Sequence, residues 1–312
     1  MKNPLFIGID LGGSSAKIGV VTREGEPLEE TTIPTDIHNP GDTLELIAET
    51  ISRLEQNSLQ AIGFGMPGIM DTQTGTIITA NNLPGWENYP IKLELEKRIR
   101  VPVFIENDAN IAALGESWMG AGKDFTDFLM VTLGTGIGGA IILNNRLHTL
   151  NNVSCEFGHM IIEQSGFLCT CGRVGCLETF FSTKGLLRLF KDEIENEKFP
   201  IPDFLHNKKI TPLDMAKAAK LNYPPALSAF YSAGRALGIA LGNVTNLIGV
   251  QSFIIGGGVA NGWDYFYDTT LHECKFTAFE NSRDKIEIVR ASLGEKAGWI
   301  GAAALAIEST EN

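Results

Sequence analysis

The chain has no run of lysines or arginines, no low-complexity tract, and no apolar stretch of the ~18 residues that a membrane span requires. Its net charge is −12 and its sequence pI about 4.9, so nothing offers the positive stripe that tracks a phosphate backbone. Neither a nucleic acid nor a membrane is therefore expected as a partner. The opening, MKNPLFIGID, lacks the charged start and the apolar core of about 7–15 residues that make a signal peptide. The expected location is the cytoplasm, where persistent disulfides are rare. Cysteine is scarce as well, with five in 312 residues. A chain of that length suggests about two domains, each able to bury its own core without covalent staples.

Glycine, by contrast, is abundant: 34 residues, where about 7% would be average. Many stand in clusters at the ends of apolar runs, where backbone bends sharply or approaches a ligand. With 44% hydrophobic and 20% charged residues, the rest of the composition is that of a globular protein. Residues 5–21, LFIGIDLGGSSAKIGVV, read as two strands joined at GGSS, with a third strand around Ile33. Leu44, Ile47, Ala48, Ile51 and Leu54 fall at helical spacing, LQAIGFG and VPVFIEN read as strands, and DANIAALGESWMGAG as a helix stopped by glycines. Strand and helix alternate, which predicts an α/β fold. At Phe128 the opening pattern recurs in FLMVTLGTGIGGAIIL, suggesting two related halves. A long helix from Pro224 to about Leu247, the strand SFIIGGG, a helix after Asn261, the strand IEIV and a closing helix from Glu295 complete the chain. The domains expected are 1–120 and 121–294, with the closing helix at about 295–312 packing back on the first.

Two segments match G-x-G-x-x-G: Gly63, Gly65, Gly68 and Gly134, Gly136, Gly139. A dinucleotide site of that kind needs a helix to begin at the loop, and here one runs into IMDTQTGTII and the other into AIIL. With no G-x-x-x-x-G-K-[ST] present, Rossmann and Walker readings both fail. Three glycine turns remain at strand ends, DLGGSSAK, TLGTGIGG and IIGGGVANG, each able to aim backbone N–H groups at an anion. One alone is more often an ordinary turn; with Asp10 at the end of its strand, the set reads as a phosphate cradle. Asp10 is a candidate for holding hydrated Mg²⁺. Ten residues after His159, the stretch CTCGRVGCLE puts Cys169, Cys171 and Cys176 within eight positions. In a reducing compartment that cluster implies a metal site or redox chemistry. An iron–sulfur centre would usually want four thiolates. Cys155 and Cys274 lie outside the cluster and read as small buried residues.

Taken together and in order, DLGGSSAKIG, GMPGIMD, ENDANIAALGE, TLGTGIGG, EFGHM and CTCGRVGCLE resemble the ROK family (repressors, open reading frames and sugar kinases) over nearly the whole chain. The resemblance implies the actin-like ATPase fold, two ribonuclease-H-like domains with ATP and sugar meeting in a cleft between them. It implies a structural zinc on His159, Cys169, Cys171 and Cys176. In ENDAN it makes Asp108 the base that takes the proton of the sugar 6-hydroxyl. Sugar hydroxyls would be held by Asn107, Asp108, Glu156, His159 and Glu178, with Gly68 and either Asn81 or Asn82 closing the far side. His159 would serve twice, one ring nitrogen on zinc and the other on sugar. Gly12, Gly13 and Ser14, with Gly134, Thr135 and Gly136, would touch the phosphates of Mg-bound ATP. Gly256, Gly257 and Gly258 would lie under the adenosine, and Lys17 would either offset phosphate charge or be a plain surface lysine. Ser14 stands where many members carry threonine and keeps the hydroxyl. The activity implied is phosphorylation of glucose, with kinases of N-acetylmannosamine, fructose or allose as neighbouring readings. The family's repressor branch adds a DNA-binding domain ahead of the first strand, where here only Met1 to Pro4 stand; a non-catalytic sugar sensor is a third reading. Homodimers or homotetramers are the expected assemblies.

Overall fold

A computed structural model of the chain describes residues 3–53, 58–80, 82–149 and 155–311. It divides into two compact units: Met1–Thr126 with Ala140–Ser154 and Ser292–Asn312, and Asp127–Gly139 with Cys155–Ala291.

In the first unit the chain forms β1 (Leu5–Leu11), β2 (Ser15–Thr22), β3 (Pro27–Pro34), α1 (Pro40–Arg53), β4 (Leu59–Met66), the small hairpin β5 (Ile69–Asp71) and β6 (Thr76–Thr79), α2 (Ile91–Ile99), β7 (Val103–Asn107) and α3 (Asp108–Met119). The sheet order is β3-β2-β1-β4-β7. β1, β2 and β3 are antiparallel neighbours, whereas β4 and β7 run parallel to β1. Side chains alternate across a strand, and β1 uses both faces. Ile7, Ile9 and Leu11 join Leu44, Ile47 and Ile51 of α1 in one apolar cluster, while Phe6 joins Val21, Ala61, Trp299 and Ala303 in another. Each of the valine, leucine, isoleucine and phenylalanine side chains among them contributes about 1.5–3 kcal/mol when fully buried. Leu54, the last of the apolar positions expected on α1, lies outside the described residues.

The chain continues through β8 (Phe128–Leu133), β9 (Ile137–Leu143), β10 (Arg146–His148), α4 (Glu178–Phe181), α5 (Thr183–Glu197), α6 (Pro212–Lys220), α7 (Pro224–Ile248), β11 (Ser252–Gly256), α8 (Trp263–Thr277) and β12 (Glu287–Arg290), and ends in α9 (Ala297–Glu311). A second sheet has the order β10-β9-β8-β11-β12. Position by position it repeats the first, with β11 parallel to both β8 and β12 and with β9 and β10 antiparallel. The pattern that recurs at Phe128 is thus a repeat of topology. In α7, Gly234, Gly238 and Gly242 stand one turn apart and face α8, where a Cβ would come within 2.8 Å of Phe266 O, 2.6 Å of Thr270 O and 2.6 Å of Thr277 Cβ respectively. Leaving out those methyls lets the two helices touch backbone to backbone.

α9 belongs to the first unit. It lies so close to the sheet that a Cβ on Gly8 or Gly63 would overlap the carbonyl oxygens of Trp299 and Ala302. Neither G-x-G-x-x-G segment opens a helix: the first runs along β4 into β5, the second into β9. No helix among the described residues is long and apolar enough to cross a membrane.

Candidate active site

The first constellation forms where β7 gives way to α3. Asn107 is the N-cap; its side-chain oxygen accepts from Ala109 N at 2.9 Å and its amide donates to Gly68 O at 3.2 Å. Gly68 holds φ = +117°, and a Cβ there would overlap Thr79 O, so only glycine fits this turn. Beneath them Glu106, 9% exposed, accepts from Asn107 N at 2.8 Å and from Asn110 Nδ2 at 2.9 Å. Burial pushes the Glu106 carboxyl up, and the two hydrogen bonds oppose the rise. Asp108 is the first helical residue, where the exposed N–H groups favour negative charge. Its surface is open to solvent, yet surrounding protein desolvates the carboxyl and raises it above the usual range, against the pull of Ala109 N. Protein crowding on the closed sides governs that shift, not the open patch.

Asp10 lies near the end of β1 with its carboxyl against Gly298, where a Cβ would overlap it. Burial, then the charge of Asp108, lifts Asp10 to about 6, while Lys17 pulls the other way. Lys17 is its cross-strand partner on β2, and its ammonium sits 2.8 Å from Glu295 Oε2 in a solvent-open pair. The adjoining turn closes with Gly12 N donating to Ser15 O at 2.9 Å. A Cβ on Gly13 would lie 3.6 Å from Asn82 O, so Asn82 borders the glycine turn. Asn81 is outside the described residues.

In the second unit, Gly134, Thr135 and Gly136 form a tight turn with Gly134 N on Gly136 O at 2.9 Å. Thr183 clamps it by donating its N–H and hydroxyl to Gly134 O at 2.8 and 2.9 Å. Glu178, the first residue of α4, accepts from Ile137 N at 3.1 Å on the far side of the turn. Gly257 has φ = +90°, and a Cβ there would overlap Leu133 O. The turn Gly256, Gly257 and Gly258 therefore packs on the end of β8, immediately before Gly134. Two of the three expected glycine turns are neighbours here, and the third stands with Asp10 in the first unit.

The cysteine cluster closes in the same unit. Ligand atoms of His159, Cys169, Cys171 and Cys176 all lie within 4.8 Å of one another. Cys169 Sγ is 3.6 Å from His159 Nδ1, and Cys171 Sγ is 3.6 Å from Cys176 Sγ. Four ligands at tetrahedral angles and a zinc–sulfur length of about 2.3 Å give edges of about 3.8 Å. The donor set and its spacing thus fit zinc. Nδ1 is the nitrogen turned to the thiols, which leaves Nε2 for another partner. Burial lifts the Cys176 thiol to about 12, whereas the backbone N–H of Arg173 lowers Cys171 to about 7. The loop reaches Glu178, whose Oε1 is 3.9 Å from Cys169 Sγ. Glu156 is exposed at the start of the 3-10 turn Phe157–His159, and its carbonyl accepts from His159 N at 3.0 Å. Of the other cysteines, Cys274 is fully buried, while Cys155 is half-buried, less covered than the sequence suggests.

Three supporting residues escape sequence reasoning. Glu106 and Glu116 are carboxylates that an acidic composition hides. Arg188 donates to Thr179 O and stacks its guanidinium 3.4 Å from the Phe167 ring centre, bracing the cysteine loop from α5.

Comparison with known proteins agrees with these local features. The ROK family model matches residues 6–309. A glucokinase of Halalkalibacterium halodurans is 35% identical over 96% of this chain and 94% of its own length. The crystal structure of a ROK family glucokinase from Streptomyces griseus in complex with glucose and AMPPNP superposes with a TM-score of 0.80 at 32% identity, covering 97% of this chain and 99% of that one. A xylose repressor of Bacillus spizizenii is 29% identical over 97% of this chain and 77% of its own length. The repeated sheet order is accordingly that of the actin-like ATPase fold, and with a family model spanning both units, the chain belongs to the ROK family.

Proposed function

We propose that the protein is an ATP-dependent hexose kinase that phosphorylates the 6-hydroxyl of glucose, with Asp108 as general base. The observation that carries this reading is the Asn107–Asp108 corner. A carboxylate with a raised affinity for protons stands at the first position of α3, and its backbone is fixed by a cap, a buried glutamate and Gly68. A base works best when its pKa approaches the working pH, and a fixed frame keeps it aligned with the attacking hydroxyl. Asn107, Asp108, Gly68, Asn82, Glu156, His159 Nε2 and Glu178 hold the sugar. Gly12, Gly13 and Ser14, Gly134, Thr135 and Gly136, and Gly256, Gly257 and Gly258 hold the nucleotide, whose phosphoryl transfer depends mainly on alignment and charge neutralisation. Magnesium bound with ATP would supply part of that neutralisation, and Asp10 is the residue we assign to hold it. The zinc held by His159, Cys169, Cys171 and Cys176 contributes folding energy and sets the wall that ends at Glu178. The protein works in the cytoplasm as a homodimer or homotetramer.

The test is ADP release with ATP and Mg²⁺ across glucose, N-acetylmannosamine, N-acetylglucosamine, fructose, mannose and allose, with Asp108→Asn alongside. Glucose turnover that vanishes in the variant supports the reading. Preference for another sugar leaves the chemistry and moves the substrate. The repressor relative favours one further reading, a sugar-binding regulator: sugar binding without ADP, or a specific DNA shift at physiological salt, would replace the kinase.

A further inference from the structure

The segment from Ser292 to Gly298, which leads into α9, touches three groups of its own unit. Gly298 backs directly on the Asp10 carboxyl. Glu295 holds the Lys17 ammonium at 2.8 Å. At the start of the segment, Leu293 N donates to Glu116 Oε1 at 2.8 Å, while Ser292 donates its N–H and hydroxyl to Oε2 at 3.1 and 3.2 Å. Glu116 lies in the last turn of α3, the helix whose first residue is Asp108. Its side chain is 0% exposed, and Oε2 also accepts from Ala121 N at 2.7 Å. A buried carboxylate is costly unless its lone pairs are filled, and here backbone amides and a hydroxyl fill them. Gly120 makes the room, since a Cβ at that position would overlap Oε2. The two helices joined by this contact have no slack. A Cβ on Gly115 would overlap Ala297 O, and one on Gly301 would overlap Ile111 O.

We infer that Glu116 is a positioning residue whose buried carboxylate fixes the Ser292–Gly298 segment, and through it Asp10 and the Lys17–Glu295 pair, in register with the helix that presents Asp108. The inference rests on the kinase reading of Asp10 and Asp108. A fold-stabilising carboxylate would need only to be satisfied; this one joins the far end of the base-bearing helix to the segment that backs the other carboxylate.

Glu116→Gln keeps the shape but turns an amide N–H₂ toward N–H donors, which unfastens either Leu293 or the Ser292–Ala121 side. The comparison variant is Leu95→Ala, which opens a cavity in the same unit around a fully buried side chain and lowers Tm for unrelated reasons. In Glu116→Gln, kcat is expected to fall about tenfold or more, because small misplacements of reacting groups carry large rate penalties. KM for glucose stays within about twofold, and the Asp10 titration, followed by carboxyl carbon NMR, moves away from about 6. Leu95→Ala, assayed well below its Tm, keeps both kcat and the Asp10 midpoint. A Glu116→Gln protein that loses only Tm, with kcat and Asp10 titration matching Leu95→Ala, overturns the inference. If Glu116→Gln does not fold, Gly120→Ala displaces the carboxylate while keeping its charge, and the same two outcomes decide. Because the NMR titration needs no turnover, a wild-type protein that phosphorylates no hexose ends the kinase reading, whereas an unmoved Asp10 ends the Glu116 inference by itself.

Discussion

The Asp108 corner and the cysteine loop reach rigidity by opposite routes. At the corner, regular structure does the work: β7 stops, α3 starts, and Asn107, Glu106 and Gly68 satisfy the backbone at the junction. Around residues 160–177 there is almost no regular structure. Isolated bridges pair Ile161 with Cys176 and Leu168 with Val174, and Gly172 and Gly175 turn through φ of 85° and 81°. Backbone bonds within the loop, such as Gly175 N on Phe167 O and Leu177 N on Met160 O, both at 2.9 Å, and the Arg188 brace gather it, and they bring four side chains able to hold a metal within reach of one another. The difference teaches where each region is vulnerable: the corner to a change of chemistry at one carboxylate, the loop to a change in the four side chains proposed to hold an ion.

The largest effect should come from the corner. Asp108→Asn is expected to lower kcat about 10²–10⁴-fold, the usual worth of a general base. Stability should not fall, because Asn107 Oδ1 still caps Ala109 N and the variant sheds a charge that burial disfavours. Steady-state ADP release and a melting curve on the same preparation check both halves. Comparable loss of Tm and of kcat would erase the contrast between the regions.

The loop should show the reverse pattern. With zinc on these ligands as proposed, a strong chelator, or replacement of Cys176 by serine, should withdraw binding energy that is also folding energy. Zinc content by elemental analysis is expected to drop from about one ion per chain, in keeping with one closed four-ligand site. Tm should fall by several degrees, of the order given by about 2 kcal/mol or more in a chain of this size. Turnover then declines through Glu178 and His159 and not through the base. A chelated protein with unchanged Tm and hydrogen exchange would remove the zinc assignment.

The same contrast explains what could be read in the sequence. The strand–glycine–strand units, the α3 start at Asp108 and the cysteine spacing are local patterns, and they stand in the structure where the sequence places them. α2 carries little helical signal in the sequence, since Ile91, Leu93 and Leu95 alternate as in a strand; in the helix Ile91 and Leu95 are buried one turn apart, while Leu93 is 50% exposed. Glu116 is equally hidden, since its partners Ser292 and Leu293 are distant in sequence. The pairing of Lys17 with Glu295 has the same origin. Contacts between remote segments leave no periodic trace.

A smaller effect concerns Asp10, the second carboxylate of the corner's unit. Its folded pKa of about 6 stands above the ordinary 3.8, so the folded state disfavours its charge. The contribution to stability is present below about pH 4, declines as pH rises toward about 6, and is absent above. Asp10→Asn carries no such charge. Its unfolding free energy relative to wild type should therefore climb between about pH 4 and 6 and stay level beyond, by about 1–3 kcal/mol in the nucleotide-free protein, as read from denaturant melts. A difference that is flat across this range would mean that Asp10 is not desolvated.

The smallest effect is expected at Lys17, and it separates two roles that geometry leaves side by side. Its ion pair with Glu295 is open to solvent, with the glutamate side chain 90% exposed, so breaking it should leave Tm within experimental scatter. Lys17 nevertheless faces Asp10 across the β1–β2 pair and lowers its carboxyl. Lys17→Met should raise the Asp10 titration midpoint while Glu295→Gln leaves it nearly unchanged, because only the first removes the ammonium. KM for ATP adds the deciding reading: a severalfold rise in Lys17→Met assigns the ammonium to phosphate, and an unchanged KM confines it to tuning Asp10. In the second case the corner's unit would govern its carboxylates through backbone amides, burial and one nearby cation, with Lys17 not given over to the nucleotide.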